Sequence, residues 1–175
     1  MVIWIMGMSG SGKSTLGRAV VDAWRARGSR VVHVDGDEIR RLLALDAGDA
    51  PYTIDGRRLV AERITALCEW LDGQGVDVVC STMSIFPDLR AGNRTRFTRY
   101  LEVYLRAPMD ALVRRDSKGL YGSALRGERA YVVGVDIPFP EPESPDLMFD
   151  TGGDAFDLDA LDARVQEVLR HLPAA

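Results

Sequence analysis

The chain has 175 residues, 46% of them hydrophobic and 27% charged, a balance that fits one soluble globular domain with a buried core. Its formal charge of -4 argues against a nucleic-acid binder, so an anionic ligand has to be met by a local cluster of Arg and Lys. Two cysteines, Cys68 and Cys80, match no metal-binding spacing or disulfide framework, and no stretch reads as a signal peptide or membrane span, so a cytoplasmic protein with reduced thiols is expected.

The first element is VIWIM at 2–6, a short apolar run that predicts a buried strand. GMSGSGKS follows directly, from Gly7 to Ser14, and satisfies GxxxxGK[ST] between a strand and a helix. Its glycines let successive backbone N–H groups turn inward toward phosphate oxygens, and the helix behind adds its positive end. Lys13 is then placed to bridge β- and γ-phosphates, and the Ser14 hydroxyl to bind Mg²⁺. The helix is predicted over 13–27, with Leu16, Val20 and Trp24 on one face and Gly28 as its stop.

A second strand, VVHV at 31–34, ends in Asp35-Gly36-Asp37. Ligands of open parallel sheets sit beyond the carboxyl ends of the strands, so both carboxylates are expected near the transferred phosphate. One is suited to hold Mg²⁺ through water and the other to accept a hydroxyl proton; Asp37 is also a candidate N-cap for a helix beginning at Glu38. A helix over 57–73 carries Val60, Ile64, Leu67 and Leu71, and further strands are expected at VDVVC 76–80, LEVYL 101–105 and DLMF 146–149. The last helix presents Leu158, Leu161, Val165 and Val168, with Arg170 and His171 in its final turn, where the helix dipole favours cations. His33 and the tryptophans Trp4, Trp24 and Trp70 are assigned to packing.

Alternating strands and helices imply right-handed crossovers and a three-layer α/β/α domain around a parallel sheet. One segment breaks the pattern: from about 117 to 145 the chain is rich in proline, glycine and arginine, with little apolar periodicity. Such an insert reads as a cationic lid, with Lys118 at its hinge, and cations that close over a transferred phosphoryl group while excluding water favour transfer. Together these features point to a kinase. A nucleotide-driven switch would want a glutamine placed to orient water, and none is seen.

In this order, GMSGSGKST, DGDEIR, RDSKGLY with ALRGE, GVDIPFPEPESPDL and the closing Asp150-Thr151 resemble the adenylylsulfate kinase (APS kinase) family over nearly the whole chain. The resemblance implies a P-loop kinase fold with a five-stranded parallel sheet, and transfer from ATP to the 3′-hydroxyl of adenosine 5′-phosphosulfate. It implies ATP and Mg²⁺ at Gly7, Ser9, Gly10, Ser11, Gly12, Lys13, Ser14 and Thr15, with Ser14 and Asp35 at the metal and Arg115 near the ATP adenine. Asp37 becomes the preferred base, with Asp35, Lys13 and Lys118 as the other catalytic residues; the acceptor is expected at Arg40, Tyr52, Arg57, Ser84, Ile85, Lys118, Leu120 and Val132. A homodimer is a family-level expectation.

The departures from the family pattern cluster at the acceptor. Tyr52 replaces a phenylalanine, Val60 a hydrogen-bonding asparagine and Val132 a stacking phenylalanine, with Tyr131 adjacent. Ile85-Phe86-Pro87-Asp88 stands for Ser-Pro-Tyr-Arg, an anion for a cation, with Arg90 a candidate substitute. A looser resemblance, through STMSIF, Asn93-Arg94 and VVGVDIPF, links the chain to kinases of bacterial capsule decoration, including cytidine diphosphoramidate kinase. It implies a sister kinase acting on another nucleotide-linked acceptor.

Overall fold

The computed structural model describes residues 1–116, 118–153 and 158–172. Five parallel strands form one sheet: β1 (Val2–Met6), β2 (Val31–Asp35), β3 (Asp77–Thr82), β4 (Tyr100–Arg106) and β5 (Leu147–Asp150), in the order β2-β3-β1-β4-β5. The central strand β1 is buried along its full length, as expected for a strand covered on both faces.

Side chains alternate along a strand, and β1 divides the core accordingly. Ile3 and Ile5 meet Leu16, Val20 and Trp24 of α1 (Lys13–Arg25), with Val165 and Val168 of α7 (Leu158–Arg170) in the same cluster. Val2, Trp4 and Met6 meet Val60, Ile64 and Cys68 of α3 (Ile54–Gly73) on the opposite face. Each fully buried aliphatic side chain contributes about 1.5–3 kcal/mol, so the double-sided burial of β1 is the main reason the sheet holds. Among the described residues no helix is long and apolar enough to cross a membrane.

Several element boundaries differ from the sequence expectation. α1 ends at Arg25, before Gly28 takes up φ 85°. α3 begins at Ile54, because the Thr53 hydroxyl accepts a hydrogen bond from Gly56 N at 3.2 Å and caps the first turn. The helix after β2, α2 (Gly36–Leu42), is capped by Asp35, which takes over the role expected of Asp37. Trp70 is 62% exposed on the outer side of α3, so it does not serve the packing expected of it, whereas Trp4 and Trp24 are buried. His33 is half-buried, with Nε2 2.9 Å from Ser81 Oγ, and its desolvation lowers its pKa. In α7 Arg170 pairs with Glu167, and the Leu158 side chain lies outside the described residues, as does Ser117.

The lid is more ordered than its composition suggests. Beyond α4 (Pro87–Arg96) and α5 (Met109–Arg114), the lid contains a short helix, α6 (Leu120–Leu125), whose first N–H groups are gathered by one carboxylate. Asp116 accepts from Leu120 N, Tyr121 N and Gly122 N at 2.8, 2.6 and 3.0 Å. Two small apolar clusters then seat the lid: Tyr121, Ala124 and Val132 with Leu112, and Val133 and Ile137 with Ile85 and Phe86.

Candidate active site

The phosphate-binding residues sit where β1 feeds α1, at the carboxyl edge of the sheet. Gly12 caps α1 with φ 95°, a left-handed conformation that lets the loop curl without a Cβ clash. Lys13 reaches back across the loop, donating from Nζ to Met8 O at 2.7 Å. Desolvation lowers its pKa from 10.5 to about 8, against the pull of Asp37 and Asp35. Ser11 is fully buried beneath the loop, so its hydroxyl does not face the cleft, and its backbone N–H donates to Met8 O at 3.2 Å.

Asp35 and Asp37 occupy different environments. Asp35 is buried; it accepts from Ser14 Oγ at 2.5 Å and from Asp37 N at 2.9 Å. Asp37 projects into the cleft, where Lys118 Nζ donates to its Oδ2 at 2.9 Å. Partial burial alone would raise its pKa, but the Lys118 hydrogen bond and charge, with Lys13 and Arg40 nearby, hold its carboxyl below the usual carboxylate range. The same contact raises the pKa of Lys118 and ties the lid to the end of β2. A second tie runs from Tyr121 OH to Ser9 O at 2.9 Å.

Across from the loop, Tyr52 lies between two cations. The guanidinium carbons of Arg40 and Arg57 stand 5.5 and 5.7 Å from its ring centroid, within cation–π range. Arg40 also donates to Pro51 O at 3.1 Å, and burial lowers its pKa, although a guanidinium stays charged in proteins. Val60, Ala61, Ile64, Ile85 and Phe86 line the apolar side of this region, and Ser84, at φ 57°, holds its hydroxyl as acceptor for Trp4 Nε1 at 3.1 Å.

Both halves belong to one cleft of about 740 Å³, within the usual size of small-molecule sites. Seven cations (Lys13, Arg40, Arg41, Arg57, Arg115, Lys118, Arg129) and five carboxylates (Asp35, Asp37, Asp46, Asp49, Asp116) line it among the described residues. The local excess of cations on an acidic chain answers the requirement set by the composition. The cleft gathers Ser9, Gly10, Gly12, Lys13, Ser14, Thr15, Asp35, Asp37, Arg40, Tyr52, Arg57, Ser84, Ile85, Arg115, Lys118 and Leu120. Gly7 and Ser11 of the same loop do not line it.

Three acceptor-side expectations need correction. Val132 is 1% exposed and packs in the lid's apolar cluster; Tyr131 lines the cleft in its place. Asp88 points away, paired with Arg58 through two hydrogen bonds of 2.9 and 3.1 Å, so it places no anion in the site. Arg90 supplies no replacement cation, because it is buried and donates to Ser84 O and Pro140 O, each at 2.8 Å. Sequence reasoning missed Asp46 and Asp49, which no periodicity or motif marks, and the capping role of Asp116, which its position before Lys118-Gly119 signals.

The donor set suits Mg²⁺: a serine hydroxyl and a carboxylate are hard oxygen ligands, and Asp35 holds the Ser14 proton so that the hydroxyl lone pairs remain available. No group of three His, Cys, Asp or Glu able to hold a metal occurs among the described residues. The protein would therefore contribute one or two ligands, with phosphate and water completing the shell, as is usual for Mg²⁺.

Comparison with known proteins agrees with this geometry. The model of the adenylylsulphate kinase family matches residues 1–150. An adenylyl-sulfate kinase of Chloroflexus aurantiacus is 37% identical over 175 residues, covering 100% of this chain and 88% of its own. A cytidine diphosphoramidate kinase of Campylobacter jejuni is 37% identical over 143 residues, 82% of each chain. The structure of the Mycobacterium tuberculosis APS kinase CysC in complex with AMPPNP and APS superposes with a TM-score of 0.81 at 27% identity, covering 97% of this chain and 95% of that one.

Proposed function

The chain belongs to the adenylylsulphate kinase family, and from that premise we propose that it transfers the γ-phosphoryl group of ATP to the 3′-hydroxyl of adenosine 5′-phosphosulfate. The observation that carries this reading is the Lys118–Asp37 pair, which sets a carboxylate and a lid cation side by side, between the phosphate loop and the arginine-flanked Tyr52.

Phosphoryl transfer passes through a loose transition state, so the protein's main tasks are alignment and charge neutralisation. The loop amides and Lys13 hold the β- and γ-phosphates. Arg40 and Arg57 hold the anionic acceptor, with Tyr52 offering its ring to the base. When the hydroxyl enters, it takes the place of Lys118 on Asp37, which is ionised at neutral pH, orients the oxygen and receives the proton. Lys118 is then free to face the transferred group. Mg²⁺, held through Ser14 with Asp35 behind it, would neutralise phosphate charge. The same reading includes a cytoplasmic homodimer, supported by the family resemblance alone.

A second reading has a specific observation in its favour. Val60 lines the cleft without a hydrogen-bonding group, Asp88 faces outward and Arg90 is committed to backbone carbonyls. The contacts that the family resemblance implies for an adenylylsulfate are therefore thinned, which favours a different nucleotide-linked acceptor such as cytidine diphosphoramidate. Measuring kcat/KM against both acceptors with ATP held saturating decides between them. A preference for adenosine 5′-phosphosulfate supports the first reading, and the reverse preference replaces it with the second. Asp37→Asn is expected to lower kcat by about 10²–10⁴-fold with little change in the KM for ATP. If Asp37→Asn keeps full rate and Asp35→Asn does not, the base is Asp35.

A further inference from the structure

Two side chains of the sheet reach the first turn of α1 from below. Ser81 Oγ, on β3, donates to Lys13 O at 3.2 Å, and His33 Nε2, on β2, stands 2.9 Å from the same Oγ. Only one assignment of hydrogens fits. A serine hydroxyl has a single hydrogen and a carbonyl only accepts, so Ser81 gives its hydrogen to Lys13 O and accepts from His33. Nε2 therefore carries a hydrogen, in the neutral ring as in the imidazolium.

The helix leaves room for this contact. A Cβ at Gly17, one turn after Lys13, would stand 2.4 Å from Ser81 Oγ and 2.5 Å from His33 Nε2. Glycine weakens a helix relative to alanine, so at this place in α1 it serves the close approach and not the helix. His33 and Asp35 are two residues apart and share one face of β2, and Asp35 accepts from Ser14 Oγ. The strand thus holds two successive residues of α1, Ser14 by its side chain and Lys13 by its carbonyl through Ser81.

That carbonyl belongs to the peptide joining Lys13 to Ser14, both of which line the cleft. In a trans peptide the N–H points opposite to the C=O. Fixing Lys13 O from the sheet therefore fixes the direction of Ser14 N–H, one of the first-turn donors that no helical carbonyl accepts. The added hydrogen bond on the carbonyl also polarises that N–H.

We propose that His33 and Ser81 are positioning residues for the ATP phosphates, a relay that orients the Lys13–Ser14 peptide. This rests on the reading of ATP as the phosphoryl donor given above. It gives His33 a task beyond packing.

Titration of the full chain with MgATP in the absence of acceptor, and initial rates with each substrate varied, test it. Ser81→Ala removes the donor to Lys13 O. The expected result is a Kd and a KM for ATP raised roughly 3- to 10-fold, the range that loss of one hydrogen bond gives, with the acceptor KM within about twofold. A purely structural loss would lower the Tm and the active fraction, which reduces kcat and leaves both KM values in place. His33→Gln sets an amide N–H at the place of Nε2 and should stay within about 1.5-fold of the wild-type KM for ATP. His33→Asn, whose amide stops at the place of Nδ1, should raise that KM by about threefold or more. Adding His33→Asn to Ser81→Ala should change it by no more than about 1.5-fold, because the effect of His33 passes through the hydroxyl. Unchanged ATP affinity in Ser81→Ala, equal values in His33→Gln and His33→Asn, or multiplied losses in the double variant would each overturn the proposal. Failure of the kinase reading looks different: the wild-type chain would bind MgATP, with the same ranking of variants, and transfer phosphate to no nucleotide acceptor.

Discussion

At the scale of single residues, Lys13 carries two pH signatures of opposite sign. Its ammonium is desolvated in the ligand-free protein, and its pKa falls from 10.5 to about 8. Since kcat/KM reports the free enzyme, kcat/KM for ATP is expected to fall as pH rises through about 8, where Lys13 loses the charge that meets the phosphates. Folding stability moves the other way. Between about 8 and 10.5 the unfolded chain binds a proton at this lysine that the folded chain does not, so ligand-free stability gains with rising pH across that window. Other groups titrate there too, so the measurement is the difference in unfolding free energy between wild type and Lys13→Met. A difference that stays flat from pH 7 to about 10.5 would show that the lysine is not desolvated. Asp37 shows the complementary case: the hydrogen bond and charge of Lys118 keep it ionised at every pH in this range. That suits a group that must be an ionised carboxylate when the hydroxyl arrives, to orient it and receive its proton.

At the scale of elements, the acceptor region depends on how a 3-10 turn, Ala50–Tyr52, sits on the first turn of α3. A Cβ at Gly56 would lie 2.0 Å from Ala50 O and 2.7 Å from Pro51 Cα, both backbone atoms that cannot swing aside. Gly56 is thus what allows the turn to close on α3, and the turn carries Tyr52 to its place between Arg40 and Arg57. Gly56→Ala should cost about 1–3 kcal/mol through overpacking, although alanine is the better helix former. It should also raise the acceptor KM more than the KM for ATP, since the phosphate loop lies elsewhere. Thermal unfolding with separate KM measurements checks both parts; a variant more stable than wild type would reject the steric argument.

At the scale of the molecule, the lid is fastened to the sheet at several points, and one of them is Arg90. Its side chain is buried, and Nη1 joins Ser84 O on the cleft wall to Pro140 O near the lid's end. Burial lowers its pKa, although a guanidinium stays charged in proteins. Arg90→Met keeps much of the volume but leaves two carbonyls without this donor, which is expected to cost about 1–3 kcal/mol. Limited proteolysis should then cut sooner between α6 and β5, with slower turnover of a poorly closed site. Unchanged cleavage and Tm would show that the lid is held by its apolar clusters alone. The core beneath is insensitive to this change, because β1 is buried on both faces by α1 and α7 on one side and α3 on the other.

What the amino-acid order determined by itself is local. Strand positions, the αβ alternation and the phosphate loop are each written in contiguous residues, where periodicity or a short motif suffices. The choice between neighbours was made only in the tertiary structure. Asp35 rather than Asp37 became the cap because its carboxylate meets Asp37 N and Ser14 Oγ together. Tyr131 rather than Val132 faces the cleft where Asp136, five residues on, and Arg57 of α3 hold its backbone at a positive φ. Asp88 turned outward because Arg58 on α3 offers it two hydrogen bonds. In each case one partner, Ser14, Arg57 or Arg58, lies on another segment, and no pattern along the chain records which group that partner will reach.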